Sequence, residues 1–252
     1  MKKKCLSIFI SLAVTFSLCV PVTAETCDYN IDQYVIGGKT YDVIQYYEGN
    51  VKVVITNVIN GDGEKVTTKS TMDGENLTIY YDNGYVVSTS LEDLSTESEQ
   101  ESPLYVTYDT LETRYWDYYY YYSDMDFDEY GMYFSLKIGT DGSWFGYDKG
   151  DKDVRNLGYE FCEKVRDLDS AQALAYAATV TSTADIASSI LDLLLKPTTS
   201  GAIKPSESDV ISSVLNILGH FNAPANAAER WSKAYYAALD CNDVYSQFRD
   251  AL

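Results

Sequence analysis

Closely spaced turn signals constrain the fold of this chain most strongly. Between residues 51 and 91, runs of β-branched and aromatic residues alternate with short segments that contain Asn-Gly or Asp-Gly. Asn-Gly favours the two-residue turn of a β-hairpin, because both central residues of that turn need positive φ. The pattern predicts a four-strand antiparallel meander with strands at residues 51–59, 64–72, 77–82 and 85–91.

Strand-like runs resume after an acidic stretch, residues 92–102, which contains no basic residue and which we predict to be a loop. Antiparallel strands at such spacing are typical of a sandwich, a barrel or a strongly curved sheet. These further strands are predicted at residues 104–109, 114–122, 131–138 and 143–147.

The composition of the chain changes near Asp169. Residues 25–169 contain 20 of the 24 tyrosines, with 30 acidic and 11 basic side chains, whereas the remaining residues carry 8 acidic and 5 basic side chains. Apolar residues of the second half recur at helical spacing. We therefore predict an α+β fold, with an N-terminal antiparallel, tyrosine-rich β-sheet region at residues 25–150 and a C-terminal helical bundle at residues 151–252.

Four helices are predicted in the C-terminal region. The first covers residues 152–167, and Asp169, with Gln172 three residues later, predicts the start of a second that ends at Pro197. The third begins at Ser206, which has Asp209 as its capping partner. The last covers residues 224–248.

Residues 170–184, within the second predicted helix, carry no charge and are dominated by Ala, Ser and Thr. Small side chains allow a neighbouring helix to approach closely. Two interpretations follow: a buried central helix of the bundle, or a segment that leaves the bundle and enters a bilayer. We predict the buried helix.

The first 24 residues predict export. Lys2, Lys3 and Lys4 precede a long uncharged run, and small residues stand before a cleavage site between Ala24 and Glu25. We therefore predict a signal peptide at residues 1–24 and a secreted, extracellular mature protein.

Three of the five cysteines follow this signal peptide: Cys27, Cys162 and Cys241. Exported proteins work in compartments where disulfides form and persist. Because Cys162 and Cys241 lie on predicted helices of the same region, we predict a disulfide between them, which leaves Cys27 unpaired.

Residues 115–122 are almost all aromatic. On a strand, successive side chains point to opposite faces, so one face can enter the core while the other is either exposed or covered. If exposed, Trp116, Tyr118, Tyr120 and Tyr122 form a row that binds a glycan or a protein, because tyrosine combines apolar area with a hydroxyl group. If covered, the rings belong to an aromatic core under the helices, which we favour.

Sequence motifs point away from catalysis. His220 is the only histidine, and no nucleophile-elbow, phosphate-loop or dinucleotide pattern occurs. A calcium loop starting at Asp124 fails because Glu129 stands where glycine is required. We predict that His220 caps a helix C-terminus, and we predict no enzymatic activity, no catalytic residue, no metal site and no cofactor.

The net charge of −19 argues against nucleic acid as a partner. A protein that binds a phosphate backbone needs clustered Lys and Arg to displace its counterions. The acidic side chains either keep a secreted protein soluble or bind a cationic partner such as a divalent cation or a cationic surface. We favour the first interpretation.

Four features of the chain occur in a recognisable order: a signal peptide, a tyrosine-rich β region that contains Gly139-Thr140-Asp141-Gly142-Ser143-Trp144, an uncharged Ala-rich helix, and a final helix from Trp231 to Phe248. This layout resembles the large, unmodified secreted bacteriocins of the geobacillin type from Gram-positive bacteria. The resemblance implies an antibacterial protein that acts on competitor cells. Export, the absence of catalytic motifs and the uncharged segment 170–184 predict the target-cell membrane as its partner. The alternative is an extracellular module that binds a glycan or protein through exposed tyrosines.

Overall fold

The computed structural model describes residues 29–59, 63–91, 108–124, 132–147 and 152–252. The predicted signal peptide with its cleavage site at Ala24 and Glu25, the unpaired Cys27 and the acidic stretch 92–102 lie outside these residues. The described chain has an N-terminal antiparallel β-sheet region followed by C-terminal helices, so the predicted α+β class is confirmed.

The first sheet is a six-stranded meander in which every strand pairs with its neighbour in the chain. Its strands are β1 (Asn30–Ile36), β2 (Lys39–Glu48), β3 (Val51–Ile59), β4 (Lys65–Asp73), β5 (Asn76–Tyr80) and β6 (Val86–Ser90). Strands β3 to β6 confirm the predicted four-strand meander. Strands β1 and β2 were not predicted; they are joined by Gly37 and Gly38, both at positive φ.

The second sheet is a four-stranded meander. Its strands are β7 (Tyr108–Glu112), β8 (Tyr118–Asp124), β9 (Met132–Ile138) and β10 (Asp141–Tyr147). The predicted strand 114–122 begins only at Tyr118, because the preceding residues form a turn. In that turn Trp116 and Asp117 adopt positive φ angles of 76° and 51°.

Four main helices follow: α1 (Lys152–Ala178), α2 (Thr183–Ile190), α3 (Glu207–His220) and α4 (Ala228–Asp250). A π-helical turn (Leu191–Leu195) and a further turn (Lys196–Thr199) extend α2. The predicted capping box of α3 is present: the amide of Asp209 donates to Ser206 Oγ at 3.2 Å, and the Asp209 carboxylate accepts from the Ser206 amide at 2.9 Å.

The predicted helix start at Asp169 is wrong, because α1 continues through it to Ala178. Asp169 accepts a hydrogen bond from the Arg114 amide, and Gln172 both donates to and accepts from the backbone of Tyr115. The two side chains therefore hold the β7–β8 turn instead of capping a helix. The helix ends where the β-branched run of residues 179–181 begins, and such residues lose χ1 freedom in a helix.

The helices lie between the two sheets. Helix α3 packs on β2, β3 and β4 of the first sheet, while α1 packs on β7, β8 and β9 of the second. Helices α1 and α4 lie side by side, and α4 also contacts α3. One contiguous hydrophobic core therefore joins both sheets and all four helices, with Trp231 of α4 fully buried in it.

Candidate functional site

The predicted binding row of aromatic residues is not a surface. Trp116, Tyr118 and Tyr120 are buried, and Tyr122 is partly buried against the same core. Trp116 Nε1 donates to a backbone carbonyl of α2 at 2.7 Å, and the Tyr118 hydroxyl donates to Asn242 Oδ1 at 3.1 Å. The helices cover these rings, so the favoured interpretation of a covered aromatic core is confirmed, and the tentative assignment of these four residues to a glycan- or protein-binding row is wrong.

The predicted disulfide between Cys162 and Cys241 is absent, because both residues are buried free thiols. Helices α1 and α4 do lie side by side as that prediction required, but the thiols have different neighbours. The charges of Arg166 and Asp109 shift the pKa of the Cys162 thiol, whereas the charges of Asp240 and Lys164 shift the pKa of the Cys241 thiol. Burial raises the pKa of Cys162 to about 12 and raises that of Cys241 as well, so neither supplies a reactive thiolate at neutral pH.

His220 ends α3 as predicted, but its ring is buried and does not cap the helix. Its Nε2 lies 2.7 Å from Ser70 Oγ, while Lys52 Nζ donates to the carbonyls of Gly219 and His220 and to Asn222 Oδ1. Lys52 therefore caps the C-terminus of α3. The capping role predicted for His220 is wrong because its side chain points into the core.

The Ser70–His220 pair combines a nucleophile and a base, yet its surroundings are those of a core contact. Ser70 is completely buried, and His220 Nδ1 has no hydrogen-bond partner among the described residues, so nothing orients the ring as in a triad. Burial, reinforced by the nearby Lys52, lowers the pKa of His220 to about 3. The ring is therefore neutral at neutral pH.

The uncharged segment 170–184 is not the buried central helix that we predicted. That position belongs to α3, which is buried along almost its whole length. By contrast, Leu174, Tyr176 and Val180 have exposed fractions of 55%, 49% and 81%. We call these three residues the α1 tip, since they surround the C-terminal end of α1.

Basic side chains flank the α1 tip. Leu174 lies in a groove of about 370 Å³ between α1 and the start of α4, together with Arg230 and Lys233. The guanidinium of Arg114 lies 5.5 Å from the ring centroid of Tyr176. Lys233 forms an ion pair with Glu229, but in the part of the chain that the structure describes no ion pair involves Arg114 or Arg230.

Exposed apolar groups therefore lie beside Arg114 and Arg230, although Glu229 in the same groove interacts electrostatically with Arg230. Apolar side chains with a basic border are the chemistry with which peripheral proteins contact anionic lipid surfaces. The uncharged segment was the only sequence signal for this surface. The two arginines that border the α1 tip, Arg114 and Arg230, are too far apart in the chain for a sequence pattern to group them.

Two features are absent from the residues that the structure describes. None of the helices there combines the length and apolar character needed to cross a membrane. No group of three or more His, Cys, Asp or Glu residues in those same ranges is placed to hold a metal ion.

Comparison with protein-family models, with curated proteins and with solved structures finds no match for this chain. The resemblance to geobacillin-type bacteriocins therefore stays a prediction.

Proposed function

We propose that this protein is a secreted, non-enzymatic antibacterial protein that binds the anionic surface of target-cell membranes through the α1 tip. The observation that carries the proposal is the exposure of Leu174, Tyr176 and Val180 beside Arg114 and Arg230. Insertion of the tip into the boundary between headgroups and acyl chains buries the apolar side chains and brings the guanidinium groups to the lipid phosphates.

The net negative charge of the protein does not prevent this contact. Exposed charges are screened beyond about 8 Å at physiological salt, so only the groups near the tip interact with the membrane surface. There each basic residue contributes about 1 kcal/mol of attraction to an anionic surface. Burial of apolar side-chain area adds roughly 25 cal/mol per Å².

The first prediction concerns Val180, the most exposed residue of the α1 tip. Val180→Asp removes apolar area and adds a negative charge, so affinity for vesicles that contain phosphatidylglycerol should fall about tenfold or more. The matched control is Val35→Asp on β1, since Val35 is also exposed, at 71%, but belongs to the first sheet. Co-sedimentation with vesicles, dye leakage and growth inhibition of Gram-positive cells measure the effect.

Both variants change an exposed side chain, so their circular dichroism spectra should match that of the wild type. Vesicle binding that is equal in wild type and Val180→Asp contradicts the proposal. Equal losses in Val180→Asp and Val35→Asp contradict it too, because the loss then reflects added charge and not the tip.

A further inference from the structure

A cleft of about 430 Å³ opens where the β7–β8 turn, the β9–β10 turn, the π-helical turn and α4 meet. We call it the π-turn cleft. Its apolar wall contains Ile138, Leu191 and Leu195, and its polar lining includes Asp117, Thr140 and Asn242. It contains no residue of the α1 tip.

Two uncommon backbone features meet at this cleft. Trp116 and Asp117 hold left-handed conformations that residues other than glycine rarely adopt, and the Gly139 amide fixes them by donating to the Asp117 carbonyl at 2.9 Å. The opposite wall is the π-helical turn, a rare conformation that is frequent at functional sites. Strained backbone persists only where its surroundings hold it, and it is concentrated at binding and active sites.

Asn242 offers the cleft an unused hydrogen-bond donor. Its Oδ1 accepts from the Tyr118 hydroxyl, which fixes the orientation of the amide group. Its Nδ2 is buried and has no partner among the described residues. A buried donor without a partner is unfavourable by about 1–3 kcal/mol, so a small shift of the Asn242 side chain toward the cleft would let an acceptor atom of a ligand satisfy it.

The charges around the cleft leave one carboxylate available. Lys196 pairs with Asp192 at 2.6 Å, and Asp141 pairs with Arg249 at 3.6 Å. Asp117 is exposed, and no ion pair involves it within the described ranges. The cleft therefore presents an apolar wall, one hydrogen-bond donor and one uncompensated negative charge.

We propose that the π-turn cleft binds the N-terminal end of a short apolar peptide. The terminal ammonium pairs with Asp117, the first side chain packs against Ile138, Leu191 and Leu195, and a peptide carbonyl accepts from Asn242 Nδ2. The cleft volume lies within the roughly 300–1,000 Å³ of typical ligand pockets. This site and the proposed membrane contact share no residue, so either can fail without the other.

The second prediction uses two amidated dipeptides as probes. Leu-Leu amide should give saturable chemical-shift changes at the Trp116 indole N–H and the Asn242 side-chain amide in nuclear magnetic resonance titrations. N-acetyl-Leu-Leu amide lacks the ammonium and should bind about two- to fivefold more weakly, which is the loss expected for an ion pair with the exposed Asp117.

Variants of the protein test the same contacts by changing residues of the cleft instead of the peptide. Asp117→Asn removes the charge but keeps a residue that tolerates positive φ, so the turn should persist while affinity for Leu-Leu amide falls about two- to fivefold. The matched control Asp73→Asn, at the exposed end of β4, should bind like the wild type. Thr140→Trp fills the cleft mouth from an exposed position and should abolish binding.

Several results would overturn the proposal: no saturable binding of Leu-Leu amide to the wild type, equal binding of the acetylated probe, or full binding by Thr140→Trp. Vesicle binding serves as the independent readout. Asp117→Asn should leave it unchanged, so failure of the peptide site and failure of the membrane contact are distinguishable.

Discussion

The imidazole of His220 lies at the end of α3 against Ser70 of β4, and its neutral form is the one that fits there. In the unfolded chain a histidine has a pKa of about 6.5, whereas burial and Lys52 lower the pKa of His220 to about 3 in the folded protein. Between these two values the unfolded state binds more protons than the folded state. Acidification through this window therefore favours unfolding.

The third prediction follows from this difference in proton binding. Stability should fall as the pH drops from 6.5 towards 3, with a contribution from His220 of up to about 1.4 kcal/mol per pH unit. His220→Gln keeps a side chain that can hydrogen-bond to Ser70 but does not titrate, so it should lose less stability on acidification. Urea unfolding of both proteins at pH 7 and pH 4.5 measures the two slopes. Identical slopes would show that His220 does not titrate in this way.

Residues whose role is local were predictable, and residues whose role depends on distant partners were not. The Ser206 cap is formed within one helical turn, so its sequence pattern sufficed. The similar pattern at Asp169 and Gln172 misled us because those side chains bind the β7–β8 turn, more than 50 residues earlier. Burial of Tyr120 was favoured because tyrosines are so frequent in this half of the chain, but the sequence could not show which helices cover the ring.

At the scale of elements, the close contact of α1 with the second sheet depends on Gly158. A Cβ at this position would lie 2.9 Å from the ring of Phe134, which is fully buried and cannot swing away. Strands β3 to β6 were predictable because Asn-Gly and Asp-Gly mark their turns. The Gly37-Gly38 turn between β1 and β2 carries a similar signal, and we failed to use it.

The fourth prediction sets helix propensity against packing at Gly158. Glycine to alanine in a helix normally stabilises by about 1 kcal/mol, but here the clash with Phe134 should make Gly158→Ala destabilising by about 1–3 kcal/mol. Asn156→Ala, at an exposed position of α1, is the control and should be neutral or slightly stabilising. Thermal and urea unfolding measure both. A stabilised Gly158→Ala would mean that α1 lies farther from β9 than the structure places it.

At the scale of the whole molecule, both sheets and all helices share one core. The composition break near Asp169 falls inside α1, which begins at Lys152, so it marks the change from strands to helices only approximately. It could not reveal that the helices lie between the sheets. That arrangement depends on which faces of the sheets and helices pack against each other. Trp231 occupies a central place, with its ring centroid 6.1 Å from those of Tyr115 and Trp116.

The fifth prediction is that the shared core unfolds as one unit. Far-ultraviolet circular dichroism and tryptophan fluorescence should give coincident urea transitions. Trp231→Ala should shift both by the same amount, with a loss of about 3–5 kcal/mol because a fully buried indole is removed. Separate transitions for sheet and helix signals would contradict a shared core.

The order of elements along the chain has a consequence for the protein during its synthesis. Every β-ladder described here joins strands that are neighbours in the chain, so each sheet can form through short loop closures soon after its residues leave the ribosome. The helical residues that cover the inner faces are translated later, and Trp231 and Phe248 come with the last helix. Until α1 and α3 have been made, the nascent sheets expose apolar faces to water, and until α4 follows, the helix faces that it covers stay exposed as well. During that interval the chain is open to association with other chains.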